Sequence, residues 1–259
     1  MSRPRTGHLG SGEERTSMLL RRGVNTAGAL RIDVLSMLLL TASAIIGVFV
    51  RPHPLTVLVV VFIGAVGAGP RLCTGRPWSP ADAITAARLG IITICTAAMI
   101  FQPGLSWTAV TLAASALLLD AGDGFVARRT VVTAAGEAFD ERVDALFVLI
   151  LSVSLVPLWG PWTMLPGLYY YGFKAITSLR ARWQQKLPHS RVRKIVAAAQ
   201  GILLVTAGSP LAQAHTWLGC TAAGIALTAL TWSFARDIIW LERGASRPAL
   251  SDATKIRTP

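Results

Sequence analysis

Acidic residues are scarce in this chain, and charge of either sign is sparse. Only 13 Asp and Glu stand against 25 Lys and Arg, and charged residues fill 15% of 259 positions. Soluble domains carry about 25% charged residues, so the composition excludes that class. Cysteine is nearly missing as well. Cys73, Cys95 and Cys220 are odd in number and far apart, which excludes a disulfide framework or a zinc-ligand set. The four histidines, His8, His53, His189 and His215, are scattered and form no zinc-ligand pair. A small-residue cleavage site after the first apolar run is lacking too, so a retained helix is expected rather than a cleaved signal peptide.

What is abundant is apolar sequence. Hydrophobic residues make up 53% of the chain, and mean hydropathy is +0.53. Eight apolar spans can be read, at about 34–50, 55–70, 83–101, 105–127, 137–157, 162–183, 195–209 and 216–236. Several fall short of the roughly 20 residues that a crossing helix needs. Turn-forming segments separate them: Arg51-Pro-His-Pro54, Gln102-Pro103-Gly104, Pro157-Leu-Trp-Gly-Pro161 and Ser209-Pro210. The expected fold is all-α, a polytopic membrane helix bundle.

The net charge of +12 first suggests nucleic acid. Its placement argues otherwise, because the basic residues lie between apolar spans. With the N-terminus inside, the inner segments hold Arg3, Arg5, Arg15, Arg21, Arg22, Arg31, Arg71, Arg76, Arg88, Arg128, Arg129, Arg142, the loop Arg180–Lys194 and the tail from Arg236. The outer turns hold only Arg51. That asymmetry is what the positive-inside rule requires. Residues 1–30 read as a disordered cytoplasmic tail, 31–77 as an N-terminal helix pair with its linker, 78–240 as a core and 241–259 as a second cytoplasmic tail.

The third span opens with Ser79-Pro80-Ala81-Asp82, a serine cap, a proline at the first helical position and an acid three residues after the cap. Asp82 is therefore expected to cap the helix. Arg88 lies further into the apolar run, where it either snorkels to the interface or faces an acidic site; the sequence leaves both open.

Six of the 13 acids fall in one window, Asp120-Ala-Gly-Asp123-Gly124-Phe-Val-Ala127-Arg128 through Gly136-Glu-Ala-Phe-Asp140-Glu-Arg-Val-Asp144. Carboxylates are expensive beside hydrocarbon, so such a cluster marks a site. Residues three and four apart share a helix face. Asp120, Asp123 and Ala127 would line one side of the fourth span, and Gly136, Asp140 and Asp144 one side of the fifth. Four facing carboxylates repel unless cations join them, and hard oxygen ligands select Mg²⁺ or Mn²⁺ over zinc. Gly124, Ala127 and Gly136 remove bulk where a ligand would approach, and Arg128 can pair with phosphate through its planar fork. The combination describes a diphosphate site at the membrane surface.

The pattern Asp120-x-x-Asp123-Gly124-x-x-Ala127-Arg128 … Gly136-x-x-x-Asp140-x-x-x-Asp144 resembles the motif of the CDP-alcohol phosphatidyltransferases. The resemblance covers roughly residues 78–236, a six-helix catalytic core, and includes Pro80-Ala-Asp82-x-x-Thr85-x-x-Arg88. One departure stands in the connecting loop, where seven residues rather than the family's eight separate Arg128 from Gly136. The resemblance implies that Asp120, Asp123 and Asp140 hold two metal ions, with Asp144 as a metal-adjacent general base. It also implies that Gly124, Ala127 and Arg128 contact the CDP moiety and that Gly136 gives room for it. The expected reaction moves a phosphatidyl group from CDP-diacylglycerol to an alcohol and releases CMP. The family forms homodimers, although these residues show no self-complementary interface.

The inner loop 180–194 carries six cations and no acid; none occurs between Asp144 and Asp237. As a positive-inside anchor it would touch lipid headgroups. As a binding element, Arg191, Arg193 and Lys194 would hold an acceptor's phosphate, which favours glycerol 3-phosphate or inositol phosphate over serine or choline. Tyr169-Tyr-Tyr171, Trp159, Trp162 and Trp183 read as interface anchors. A Mg²⁺-dependent membrane prenyltransferase is the nearest alternative, but residues 145–236 lack the second acidic cluster it needs. A metal-ion transporter would spread its acids over several helices near mid-membrane. The Ala, Arg and Gly content suits a GC-rich bacterium, hence an expected place in a bacterial plasma membrane with the site facing the cytoplasm and no nucleic-acid partner.

Overall fold

The apolar runs form helices, as hydrocarbon requires of a backbone that must satisfy its own hydrogen bonds. The computed structural model describes residues 11–127, 133–179 and 191–245, with side chains for 31–121, 133–179 and 195–240. In chain order the elements are α1 (Ser11–Val50), α2 (Pro54–Gly67), α3 (Gly69–Leu72), α4 (Pro80–Met99), α5 (Trp107–Ala127), α6 (Ala134–Ser154), α7 (Val156–Trp159), a 3₁₀ turn (Pro161–Met164), α8 (Leu165–Leu179), α9 (Arg191–Gly208), α10 (Pro210–Ala214) and α11 (Thr216–Ala245). No strand occurs among the described residues. Among the described residues, eight long helices overlie the eight apolar spans of the sequence, so the chain is a polytopic helical bundle.

Among the described residues, four segments are long and apolar enough to cross a membrane: Arg31–Val50, Pro80–Met99, Ala134–Trp159 and Thr216–Trp240. Pro54–Gly67, Trp107–Ala121 and Ile195–Gly208 are apolar but shorter. The structure differs from expectation at the amino end. Helix α1 already begins at Ser11, so 11–30, read as a disordered tail, carries helical backbone. The segment Glu13-Glu-Arg through Met18-Leu-Leu-Arg-Arg22 is rich in strong helix formers, which explains the longer helix. Helix α11 likewise continues to Ala245, past the start expected for the second tail.

Helix ends follow local chemistry. Ser79 accepts a bond from Asp82 N–H at 3.1 Å, while Asp82 Oδ2 accepts one from Ser79 N–H at 2.8 Å. Asp82 thus caps α4 as the sequence predicts. Thr133 caps α6 by accepting from Gly136 N–H at 3.1 Å.

Helix α4 is the centre of the bundle and packs against α1, α2, α5 and α6. Of its span 67% is buried, against 17% for the Arg31–Val50 span of α1. Within a bilayer, helices associate by close packing rather than by water exclusion, and small residues permit it. Ala86, Gly90 and Ala97 serve that purpose on α4, beside the buried Leu89 and Ile92. Phe139, Leu146 and Leu151 of α6 complete the same core.

The end of the bundle away from the acidic window is pinned through backbone groups. Leu105 N–H donates to Gly208 O at 2.8 Å, and Gln213 Nε2 donates to Leu105 O at 3.0 Å. Trp159 Nε1 donates to Ala207 O at 2.9 Å, so this residue, read from sequence as an interface anchor, ties two helical segments together. Two cations counted toward positive-inside behave differently from headgroup anchors. Arg71 and Arg88 are each 1% exposed and pair with acids inside the protein.

Candidate active site

Asp140 and Asp144 sit four residues apart on α6, and the helical repeat puts both on the face toward α4 and α5. Asp120 approaches from the last two turns of α5. One ligand oxygen from each of Asp120, Asp140 and Asp144 falls within 4.8 Å of the others. The shortened loop between Arg128 and Gly136 therefore does not prevent the two helices from bringing these three carboxylates together.

The cluster is organised by a third helix. Arg88 of α4 donates through Nη1 to Asp120 and through Nη2 to Asp144, and Nη2 lies 3.1 Å from Asp140 Oδ1. Of the two placements the sequence leaves open for Arg88, the structure takes the one facing the acids. Its planar guanidinium presents donors in a fixed fork to several carboxylates at once, whereas a lysine would offer a compact point charge. Thr85, one turn earlier, places Oγ1 3.5 Å from Asp140 Oδ1. The same hydroxyl is nearer to Ala81 O, at 3.2 Å, so its proton belongs mainly to the helix backbone.

Arg88 is closed off at 1% exposure, whereas Asp120, Asp140 and Asp144 are 36%, 38% and 52% exposed. The carboxylates therefore have a buried cation behind them and an open side in front. Three negative charges less one positive leave two, the charge of one divalent cation. Oxygen-only donors on neighbouring helices fit Mg²⁺ or Mn²⁺, which keep waters and take phosphate oxygens alongside one or two carboxylates. Each carboxylate has two oxygens, so one can serve Arg88 while the other serves an ion.

The side chains of Asp123, Ala127, Arg191, Arg193 and Lys194 lie outside the described residues, as do Arg128 and the loop 180–190 altogether. Gly124 falls in the part of α5 described by backbone alone. Gly136 is placed, and its neighbour is a surprise. A Cβ there would stand 2.6 Å from Asp82 Oδ1 and 3.2 Å from Thr133 Oγ1. The missing side chain thus has a packing reason, the close passage of α6 over the start of α4.

Two features escape sequence reasoning. Arg71 forms a 2.8 Å ion pair with Asp82, and both are nearly fully buried. Glu141, next to Asp140, turns to the other side of α6 and meets Lys174 of α8 at 3.3 Å. For Glu141 the helical repeat was available, since it lies 100° around the helix from Asp140. For Arg71 no periodicity links it to Asp82, because Arg71 sits on the short α3 and a turn separates that helix from α4.

Against known proteins, residues 78–234 match the CDP-alcohol phosphatidyltransferase family. Neither curated proteins nor solved structures yield a match. The matched segment contains α4, α5 and α6 with every residue of the acidic cluster and Arg88. The family consists of membrane transferases of phospholipid biosynthesis that generally use divalent metals and pass a substituted phosphate from a CDP-alcohol to an acceptor. With more than half its length matched and an Asp cluster able to hold a metal, this integral membrane chain belongs to the CDP-alcohol phosphatidyltransferase family.

Proposed function

We propose that this transferase moves the phosphatidyl group of CDP-diacylglycerol to a small alcohol and releases CMP. The supporting observation is the convergence of Asp120, Asp140 and Asp144 from two helices, with Arg88 behind them, inside the matched segment. The favoured acceptor carries its own phosphate, glycerol 3-phosphate or inositol phosphate. The site faces the cytoplasm of a bacterial plasma membrane, as the basic inner segments of the sequence suggest.

Asp120, Asp123, Asp140 and Asp144 would hold the divalent ions. Bound Mg²⁺ or Mn²⁺ would neutralise the diphosphate and improve CMP as a leaving group. The chain's own residues supply the remainder. Asp144, the most exposed of the three placed carboxylates, takes the proton of the acceptor hydroxyl as its oxygen attacks the phosphatidyl phosphorus. The phosphorus–oxygen bond to CMP breaks, and the proton stays on the Asp144 carboxylate until it passes to water. Arg128 pairs with the nucleotide's phosphate, beside the small Gly124 and Ala127. Gly136 borders the same region, and its packing on Asp82 keeps the first turn of α6 close to α4. Arg191, Arg193 and Lys194 hold the acceptor's phosphate at the start of α9. Arg88 keeps the carboxylates gathered against their mutual repulsion, so the reacting groups meet in a fixed geometry.

The test is CMP release by purified protein given Mg²⁺ or Mn²⁺, CDP-diacylglycerol and each of glycerol 3-phosphate, inositol phosphate, inositol, serine and phosphatidylglycerol. Release with a phosphorylated acceptor is expected. Silence across the whole panel would overturn the assignment of substrates. Asp144→Asn should lower kcat by about 10²–10⁴-fold, the usual worth of a general base. An unchanged rate would remove Asp144 from that role.

A further inference from the structure

The matched family segment begins at residue 78, yet the helices ahead of it are packed tightly into the core. A Cβ on Gly90 of α4 would stand 2.9 Å from Ser43 Oγ of α1. One on Gly67 of α2 would stand 2.8 Å from a methyl of Leu89 on α4. Since α4 carries Arg88, the leading helices press on the back of the helix that gathers the acids.

Between these helices and the acidic site lies a polar cluster centred on the buried Arg71. Its guanidinium donates to Asp82 Oδ2 at 2.8 Å, to Pro77 O at 2.9 Å, to Arg76 O at 3.1 Å and to Thr74 Oγ1 at 2.9 Å. It also lies 5.1 Å from the centre of the Trp78 ring. Asp33 of α1 accepts the Trp78 backbone N–H at 2.6 Å. Both residues that Arg71 holds then touch the first turns of α6. Asp82 lies against Gly136, and Trp78 meets the Phe139 ring edge-on at 5.5 Å. Phe139 is adjacent to Asp140.

We infer that Arg71 is a positioning residue for the acidic site, supplied from outside the matched family segment. By fixing Asp82 and Trp78 it fixes the seat of α6 on α4, and with it the reach of Asp140 and Asp144 toward Asp120. A carboxylate that bridges a cation on one side and a neighbouring helix on the other transmits small shifts, because packed contacts of this kind do not deform smoothly. The leading helices are accordingly part of the working unit rather than a separate anchor. The inference rests on the proposed metal-holding role of the cluster.

The experiment measures Mn²⁺ binding to the full chain by electron paramagnetic resonance, beside melting temperature and the kcat and KM of CMP release. The variants are Arg71→Gln, Arg71→Lys, Asp82→Asn and the Arg71→Gln, Asp82→Asn double. Arg71→Gln should weaken Mn²⁺ binding about tenfold or more, as loss of supporting contacts around a metal site does. Its kcat should fall while KM for CDP-diacylglycerol stays near the wild-type value. Arg71→Lys should recover part of the loss, and the double should be no worse than Arg71→Gln alone. Failure of the wild-type chain to bind Mn²⁺ overturns the metal reading and the inference together. Wild-type affinity in a folded Arg71→Gln overturns the inference alone. If Arg71→Gln does not fold, Arg71→Lys decides. An ammonium cannot reach Asp82 and both carbonyls with the same fork, so Mn²⁺ affinity equal to wild type in Arg71→Lys overturns the inference as well.

Discussion

Gly136 of α6 passes so close to Asp82 of α4 that a Cβ would stand 2.6 Å from the carboxylate oxygen. Asp82 has no freedom to retreat, since Arg71 and the Ser79 N–H hold its other oxygen at 2.8 Å each. Gly136→Ala should therefore lift the first turn of α6, at a cost of about 1–3 kcal/mol for overpacking. A lower melting temperature with reduced turnover is expected. Wild-type values for both would show that the contact is slack.

Arg88 is the shared partner of three acids, so its planarity should matter as much as its charge. Arg88→Gln and Arg88→Lys should each reduce Mn²⁺ affinity and turnover by about tenfold or more. Full activity in Arg88→Lys would show that a single positive charge is all the cluster needs.

Divalent metal should stabilise the fold through the same oxygens. At a Mn²⁺ concentration about 100 times Kd, the gain is about 2.7 kcal/mol, and a chelator should remove it. Thermal melting with and without chelator reads the effect, and Asp140→Asn should abolish most of it. An equal shift in wild type and Asp140→Asn would place the ion elsewhere.

The basic start of α9 can be separated from the nucleotide site by kinetics. Arg191→Ala should raise the acceptor's KM far more than that of CDP-diacylglycerol, because lost ground-state contacts appear in KM. Raised ionic strength should shrink the difference, as screening weakens exposed charge pairs. Equal changes in both KM values would reject the acceptor role.

Much of the architecture was legible from local pattern. Ser79-Pro80-Ala81-Asp82 announced a helix start, and the structure forms both halves of that capping box. The four-residue spacing of Asp140 and Asp144 put them on one face before any neighbour was known. The four proline-bearing breaks fall between successive long helices, at α1/α2, α4/α5, α6/α8 and α9/α11. The amino end was less legible, because helix propensity in 11–30 competed with a polar, Arg-rich composition that also suits a tail.

The sequence by itself determined that this chain is a membrane helix bundle with an acidic cluster at one end, since hydropathy and helical periodicity act within a single segment. Only the tertiary structure decided what stands opposite those acids. Whether Arg88 reaches headgroups or carboxylates depends on where α5 and α6 pack around α4, a fact no local spacing contains. The pairing of Arg71 with Asp82, and the glycine at 136 that makes room for it, belong to the same kind. A buried charge must find its opposite within a few ångströms, and which residue supplies it is settled by packing across helices distant in the chain.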